Sequence, residues 1–251
     1  MTTLGEMKDK TVDDFFLTHS LFQPFGLVAL YLVFVTKLGP TLMKNREPMK
    51  LNHVIFVYNL IQIFSNGYLA VMFWLNLKNV SLLCTNSDSP TSVESMSLLT
   101  VQHRYVLLKL VDLVETIVFV LRKKNNQVSF LHVFHHGGLV LVSWISLNYA
   151  PGGPHVLSGY INCCVHVVMY LYYLLSTWME RKQLWWKKYI TILQVGGNCM
   201  LLVNYVVHLL NPYCSFPKWN SLMLVLYILV VLYLFAKFYK ESYVKKQVKL
   251  Q

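Results

Sequence analysis

A chain of 251 residues with 55% hydrophobic and only 13% charged residues is not an ordinary soluble domain, in which about a quarter of the residues are charged. It is expected to be an all-α integral membrane protein, with about seven transmembrane helices of roughly 20 residues, and that leaves no room for a separate soluble domain, so residues 1–251 are read as one. The net charge of +11 raises nucleic acid as a partner, but the Lys and Arg residues fall in short loops between apolar runs, so they argue for a lipid bilayer with the basic loops in the cytosol. Five cysteines without a C-x-x-C pair argue on spacing against a zinc or thioredoxin-like site.

The first fourteen residues are polar, and no basic segment leads directly into an apolar one, so a cleaved signal peptide is not expected. Residues 1–23 are placed in the lumen. A first span from Pro24 to Met43 is followed by Lys44, Arg46 and Lys50, which orient it as a signal anchor. The second, Asn52 to Leu75, carries Asn59, Gln62 and Asn66 at offsets of three and seven, a polar stripe suited to bonding between helices. A polar loop over 76–100 holds the sequon Asn79-Val80-Ser81 and Cys84, both suited to the lumen.

The third span, Val101 to Leu121, contains Arg104, Lys109, Asp112 and Glu115 and ends at Arg122, Lys123 and Lys124; ionisable groups at that depth must pair or line a cavity. The fourth, Ser129 to Asn148, carries His132, His135 and His136. On a helix those offsets of three and four put three imidazoles on one face near the cytosolic end. Bonding between helices is the alternative use for buried histidines. Pro151-Gly152-Gly153-Pro154 then breaks the chain.

The fifth span, Val156 to Met179, aligns Asn162, His166, Met169, Tyr170 and Tyr173 along one stripe. Arg181, Lys182, Lys187 and Lys188, with Trp185 and Trp186 among them, form a cytosolic interfacial loop. The sixth, Tyr189 to Leu210, presents Thr191, Gln194 and Asn198, and the seventh follows a turn with Cys214 and ends near Tyr239. Residues 240–251 are a basic cytosolic tail, so the N-terminus is expected in the lumen and the C-terminus in the cytosol. At about 1.5 Å per residue, the histidines lie roughly 5 to 11 Å inside the cytosolic boundary, level with Thr116 and Gln194, and Lys109, Asp112 and His166 lie somewhat deeper. Such a pocket suits an amphiphile with a charged headgroup, such as a lipid thioester, with Asn204 and His208 as candidates for its floor. Cys84 and Cys214, alone in the lumenal loops, are expected to form a disulfide.

At these residues the sequence resembles the elongases of very long chain fatty acids, the membrane 3-ketoacyl-CoA synthases of the endoplasmic reticulum, over almost the whole chain. Gly39-Pro40-Thr41-Leu42-Met43-Lys44-Asn45-Arg46-Glu47-Pro48, His132-Val133-Phe134-His135-His136 and His166-Val167-Val168-Met169-Tyr170-Leu171-Tyr172-Tyr173 are similar to family segments, as is Trp185-Trp186-Lys187-Lys188-Tyr189 through Thr191 and Gln194. Two departures stand out. The family's K-x-x-E-x-x-D-T is here Lys109-Leu110-Val111-Asp112-Leu113-Val114-Glu115-Thr116, with its two acids exchanged in size, and Gly197 replaces a second glutamine. The exchange displaces each carboxylate by about one methylene, a change expected to touch rate or substrate preference rather than reaction class.

The resemblance implies condensation of a long-chain acyl-CoA with malonyl-CoA, with release of carbon dioxide and CoA, no cofactor and no metal. It makes His135 and His166 the catalytic pair, His135 the acyl acceptor, with His132, His136, Lys109, Asp112, Asn162 and Gln194 around them. Met169, Tyr170 and Tyr173 belong to the substrate pocket; Arg122, Lys123, Lys124, Lys187 and Lys188 either bind CoA phosphates or only orient the helices. Partners implied are the reductases and the dehydratase of the elongation cycle. A di-iron desaturase or hydroxylase also uses H-x-x-H-H, but one box and otherwise isolated histidines argue against two irons. A seven-span receptor or transporter fits the topology and leaves the shared depth of titratable groups unexplained. Cys163, three residues before His166, is either a thiolate nucleophile or a packing residue.

Overall fold

The computed structural model describes residues 12–77, 93–180 and 182–244. Among them there is no strand. Seven helices follow one another: α1 (Phe22–Met43), α2 (Asn52–Leu77), α3 (Val93–Leu121), α4 (Phe130–Tyr149), α5 (His155–Leu175), α6 (Lys187–Leu210) and α7 (Lys218–Tyr239). All but α3 are long and apolar enough to cross a membrane. In α3, Arg104, Lys109, Asp112 and Glu115 dilute the hydropathy, yet three of these four are buried against neighbouring helices. The chain is a multi-pass membrane protein.

Six helices close into a ring: α2 packs on α3, α3 on α4, α4 on α7, α7 on α6, α6 on α5 and α5 back on α2. The seventh, α1, lies outside against α3 and α4. Close backbone approach tightens the seam between α2 and α5, where a Cβ on Gly159 would sit 2.3 Å from the Phe73 ring. The loops α1–α2, α3–α4 and α5–α6 share one end of the ring, the basic end; Met49 N–H donates to the Leu121 carbonyl and the Lys123 ammonium to the Lys44 carbonyl, at 3.1 and 3.3 Å.

Local chemistry sets the helix ends. Ser129 caps α4, its hydroxyl accepting the His132 N–H at 3.2 Å, so the helix that carries the histidines starts just before them. In α1, the turn Phe34–Leu38 widens to a π-helix directly before Pro40, which supplies no N–H and crowds the preceding turn. α5 stops at Leu175, four residues earlier than expected: the Ser176 and Thr177 hydroxyls bond back to the Tyr173 and Leu174 carbonyls, each at 2.7 Å, and compete with the next helical turn. α3 begins at Val93 rather than Val101, because hydropathy marks the apolar slab and not the length of the helix that crosses it.

At the end opposite the basic loops, residues 12–20 fold back on α3 and α4. Val12 packs with Leu99, Val106, Trp144 and Leu147, and the Trp144 indole N–H donates to the Leu17 carbonyl at 2.6 Å. Gln102 holds the α4–α5 loop by its side-chain oxygen, which accepts the Gly152 N–H at 3.1 Å. Cys214 is buried and disulfide-bonded, while Cys163, Cys164 and Cys199 are free thiols. Cys84 and Asn79 lie outside the described residues. A non-reducing peptide map is expected to join the Cys84 and Cys214 peptides; a free thiol at Cys84 would overturn that pairing.

Candidate active site

The ring encloses an apolar tunnel of about 110 Å³ whose wall includes residues from all six helices. His135, Asn162, His166 and Gln194 line it toward the basic end, and Phe73, Gln102, His155, Ser158 and Tyr205 toward the other. The end away from the basic loops differs from the expectation: Asn204 and His208 are not among its lining residues, and Tyr205 takes their place, its hydroxyl 2.6 Å from Ser158 Oγ and 3.0 Å from His155 Nδ1. Gly197 does line the tunnel. A Cβ there would lie 3.0 Å from Ile161 Cγ2, so the missing side chain permits α6 to approach α5.

Lys109 is the hub of the buried charge. Only 1% exposed, its ammonium sits 2.7 Å from Asp112 Oδ2, one helical turn on, 3.0 Å from Asn162 Oδ1 and 3.3 Å from His166 Nδ1. The ammonium thus donates to Asn162 and His166 and forms an ion pair with Asp112. Asp112 in turn accepts the Gln62 amide at 2.7 Å, and Gln62 also donates to the Tyr58 hydroxyl at 2.8 Å. The shortened acid thus still reaches its lysine. Buried charges persist only when paired and bonded in this way.

The two histidines on the tunnel are held in opposite senses. The Tyr227 hydroxyl donates its one proton to the His135 carbonyl at 3.0 Å, so toward His135 Nδ1, at 3.3 Å, its oxygen is the acceptor. Nδ1 then carries the proton of a neutral ring, and Nε2 keeps a lone pair. At His166, Nδ1 lies 3.3 Å from the Lys109 ammonium and 3.6 Å from Asp112 Oδ2; the nearer group can only donate, which assigns Nδ1 as the acceptor and the proton to Nε2. One ring thus keeps an acceptor nitrogen and the other a donor.

His132 and His136 stand behind this pair. His132 Nε2 lies 2.9 Å from Thr116 Oγ1, which also receives the Tyr31 hydroxyl of α1 at 2.9 Å. His136 is buried, packs tilted against His132 with ring centroids 4.2 Å apart, and points Nε2 toward Glu115 Oε2 at 3.9 Å. Glu115, His132 and His136 hold one ligand atom each within 4.8 Å of one another, a set able to hold a single metal ion. Tyr170 is fully buried, edge-on to His166 with centroids 5.7 Å apart, and Met169 sulfur accepts from the Gln194 amide at 3.6 Å.

The residues singled out from sequence therefore divide. His135, His166, Lys109, Asp112, Asn162 and Gln194 meet at one place, with Met169 and Tyr170 packed beside them. Tyr173 and Arg122 instead line a second cavity, of about 690 Å³, between α2, α3 and α5 at the basic end. Lys123, Lys124, Lys187 and Lys188 are not among the residues lining either cavity; Lys123 is tied to Lys44, and Lys188 lies over the Tyr189 ring at 5.0 Å. Arg104 faces outward, its guanidinium donating to the Tyr68 hydroxyl. Cys163 is buried in the α2–α3–α5 packing cluster, the packing role. Tyr227, Gln62 and Tyr31 were not legible as site residues, although Gln62 stands in the polar stripe of α2.

A helical membrane ring with opposed histidines and a buried ion pair on an apolar tunnel defines a polytopic membrane enzyme that works on a long apolar chain. Residues 16–251 match the family described as ELO: GNS1/SUR4. The chain is 34% identical over 240 residues to very long chain fatty acid elongase 4 of Homo sapiens, covering 94% of this chain and 76% of that protein. It is 38% identical over 232 residues to very long chain fatty acid elongase F of Drosophila melanogaster, 88% of each, and 33% identical over 225 residues to very long chain fatty acid elongase 1 of Mus musculus, 88% and 81%. The chain belongs to this family of elongases, acyltransferases that condense an acyl-CoA with malonyl-CoA, and it acts in very-long-chain fatty acid elongation by that reaction.

Proposed function

We propose that His135 Nε2 takes the acyl group from acyl-CoA and that His166 Nε2–H serves the thiolate and the enolate as proton donor and hydrogen-bond donor. The observation that carries this is the pair of opposite hydrogen-bond commitments, Tyr227 at His135 Nδ1 and Lys109 at His166 Nδ1. In the first step the Nε2 lone pair attacks the thioester carbonyl, the N–C bond forms and the C–S bond breaks. CoA leaves as the thiolate and takes up a proton. In the second, the bond from the malonyl α-carbon to its carboxylate breaks, carbon dioxide leaves, and the electron pair remains as a thioester enolate. That carbanion attacks the acyl carbon; the C–N pair returns to the imidazole and a 3-ketoacyl-CoA two carbons longer departs. An enolate needs preorganised donors away from water, and the Lys109 cluster supports that requirement.

The basic loops support a cytosolic active-site end and a lumenal N-terminus, and the resemblance to the elongases of the endoplasmic reticulum supports that membrane. Its product, a 3-ketoacyl thioester, needs reduction, dehydration and reduction, so reductases and a dehydratase are the enzymes that consume it. Microsomes containing the chain, given labelled malonyl-CoA and a panel of acyl-CoAs, are expected to yield acids lengthened by two carbons, while protease reaches a tag after Gln251. Label confined to no acid in the panel, or a protected tag, would overturn the substrate or the orientation respectively.

A further inference from the structure

The exchange of acids on α3 leaves Glu115 without a task in the condensation. Asp112, the shortened acid, is spent on Lys109. Glu115 is 5% exposed, and among the described residues no lysine or arginine pairs with it. Tyr170 faces the same carboxylate, yet Oε2 has no hydrogen-bond donor. An Asp at this position would end about one methylene earlier; the extra reach of Glu115 carries Oε2 toward the histidines of α4, to 3.9 Å from His136 Nε2, beyond hydrogen-bond distance. A buried carboxylate persists as an anion only beside a compensating positive charge.

Its neighbours say which cation. Glu115, His132 and His136 each hold one ligand atom within 4.8 Å of the others. The two rings stand on successive turns of α4 with centroids 4.2 Å apart, and Thr116 Oγ1, 2.9 Å from His132 Nε2, holds the first of them, a support of the kind that metal-ligating imidazoles take. Two imidazole nitrogens with one carboxylate oxygen suit Zn²⁺, whereas Mg²⁺ and Ca²⁺ take oxygen ligands. Bonds of about 2.0–2.2 Å span the 3.9 Å gap between Glu115 and His136 as it stands. The widest separation, at most 4.8 Å, closes with a small rotation of the longer acid. Glu115 also borders the second cavity, which gives an ion its way in from the basic end.

We propose that Glu115, His132 and His136 bind one Zn²⁺ ion, and that the bound ion inhibits condensation rather than serving it. The inhibition rests on the acyl-histidine reading above; the binding does not. The ring centroid of His136 lies 5.7 Å from that of His135. Acyl transfer to Nε2 of a ring that keeps its Nδ1 proton makes that ring a cation, and a dication fixed on the adjacent ring opposes new positive charge there. The ion therefore slows the step in which CoA leaves.

The test uses the full chain in detergent, stripped of metal with a chelator and dialysed. Titrated with Zn²⁺, it is expected to retain one ion per chain that Glu115→Gln does not retain. CoA release from acyl-CoA falls at least about tenfold with the ion bound and recovers on chelation. Each variant is compared with itself, with and without the ion, so a change in its own rate does not enter. Glu115→Asp keeps the charge, withdraws it by one methylene, and is expected to weaken Zn²⁺ binding at least about tenfold, the loss that disturbing even a supporting residue brings. An ion count unchanged in Glu115→Gln, or an affinity unchanged in Glu115→Asp, would overturn the proposal. Binding without loss of CoA release would overturn the inhibition and leave the site standing. Should the unaltered enzyme release no CoA from acyl-CoA alone, the acyl acceptor is wrong, and the ion count still decides the site.

Discussion

His135→Ala is expected to abolish condensation, lowering the rate by at least about 10³-fold, while the protein still folds. The fold survives because Tyr227 keeps its bond to the backbone carbonyl of residue 135, which the substitution leaves in place. Acyl-CoA alone should release one CoA per unaltered chain and leave an acyl group on His135, and the variant should release none. Rates with and without a chelator separate this chemistry from metal chemistry at Glu115, His132 and His136, the set whose ligand atoms lie within 4.8 Å. Activity independent of metal is the expected result; a requirement for iron, oxygen and an electron donor would overturn nucleophile and reaction class together. Condensation that survives His135→Ala would overturn only the nucleophile.

Seven helices were legible because each apolar run is bounded by charge or by Pro and Gly, and the histidine spacing was legible because offsets of three and four can only share a face. Sequence stripes name a face, however, and not the partner across it. Gln62 was visible as part of a stripe on α2, but its bond to Asp112 depends on how α2 docks against α3. Tyr227 had no signal at all: α7 is apolar from Leu222 to Ala236 apart from its tyrosines, and a tyrosine among leucines and valines looks like any membrane aromatic until α4 is placed against it. Tyr31 lies on a helix outside the ring, and only the contact of α1 with α3 brings it to Thr116. For the loop lysines the sequence named two uses, CoA phosphates or the orientation of the helices. Charge at a loop fixes the side of the membrane, and a long flexible side chain is free to settle elsewhere, as Lys123 does on the Lys44 carbonyl.

Lys109→Met is the substitution expected to harm folding most. It removes the ammonium 2.7 Å from Asp112 and leaves a carboxylate, 1% exposed, with the Gln62 amide at 2.7 Å and the His166 ring at 3.6 Å to answer it. Breaking a buried pair on one side costs about 3–5 kcal/mol, because a buried charge is left uncompensated. Replacing both partners by apolar residues of similar volume is often neutral, since the cost of desolvating the pair goes with it. Lys109→Met with Asp112→Leu is therefore expected to regain most of the lost thermal stability in detergent. Activity should not return with it, because the His166 Nδ1 that now faces Lys109 at 3.3 Å would no longer be held as an acceptor, and its ring would lose the tautomer that presents Nε2–H to the tunnel. Recovery of stability without activity assigns the pair to the orientation of His166. Recovery of both would leave the ion pair a structural feature only, and His166 would have to be positioned by Tyr170 packing alone.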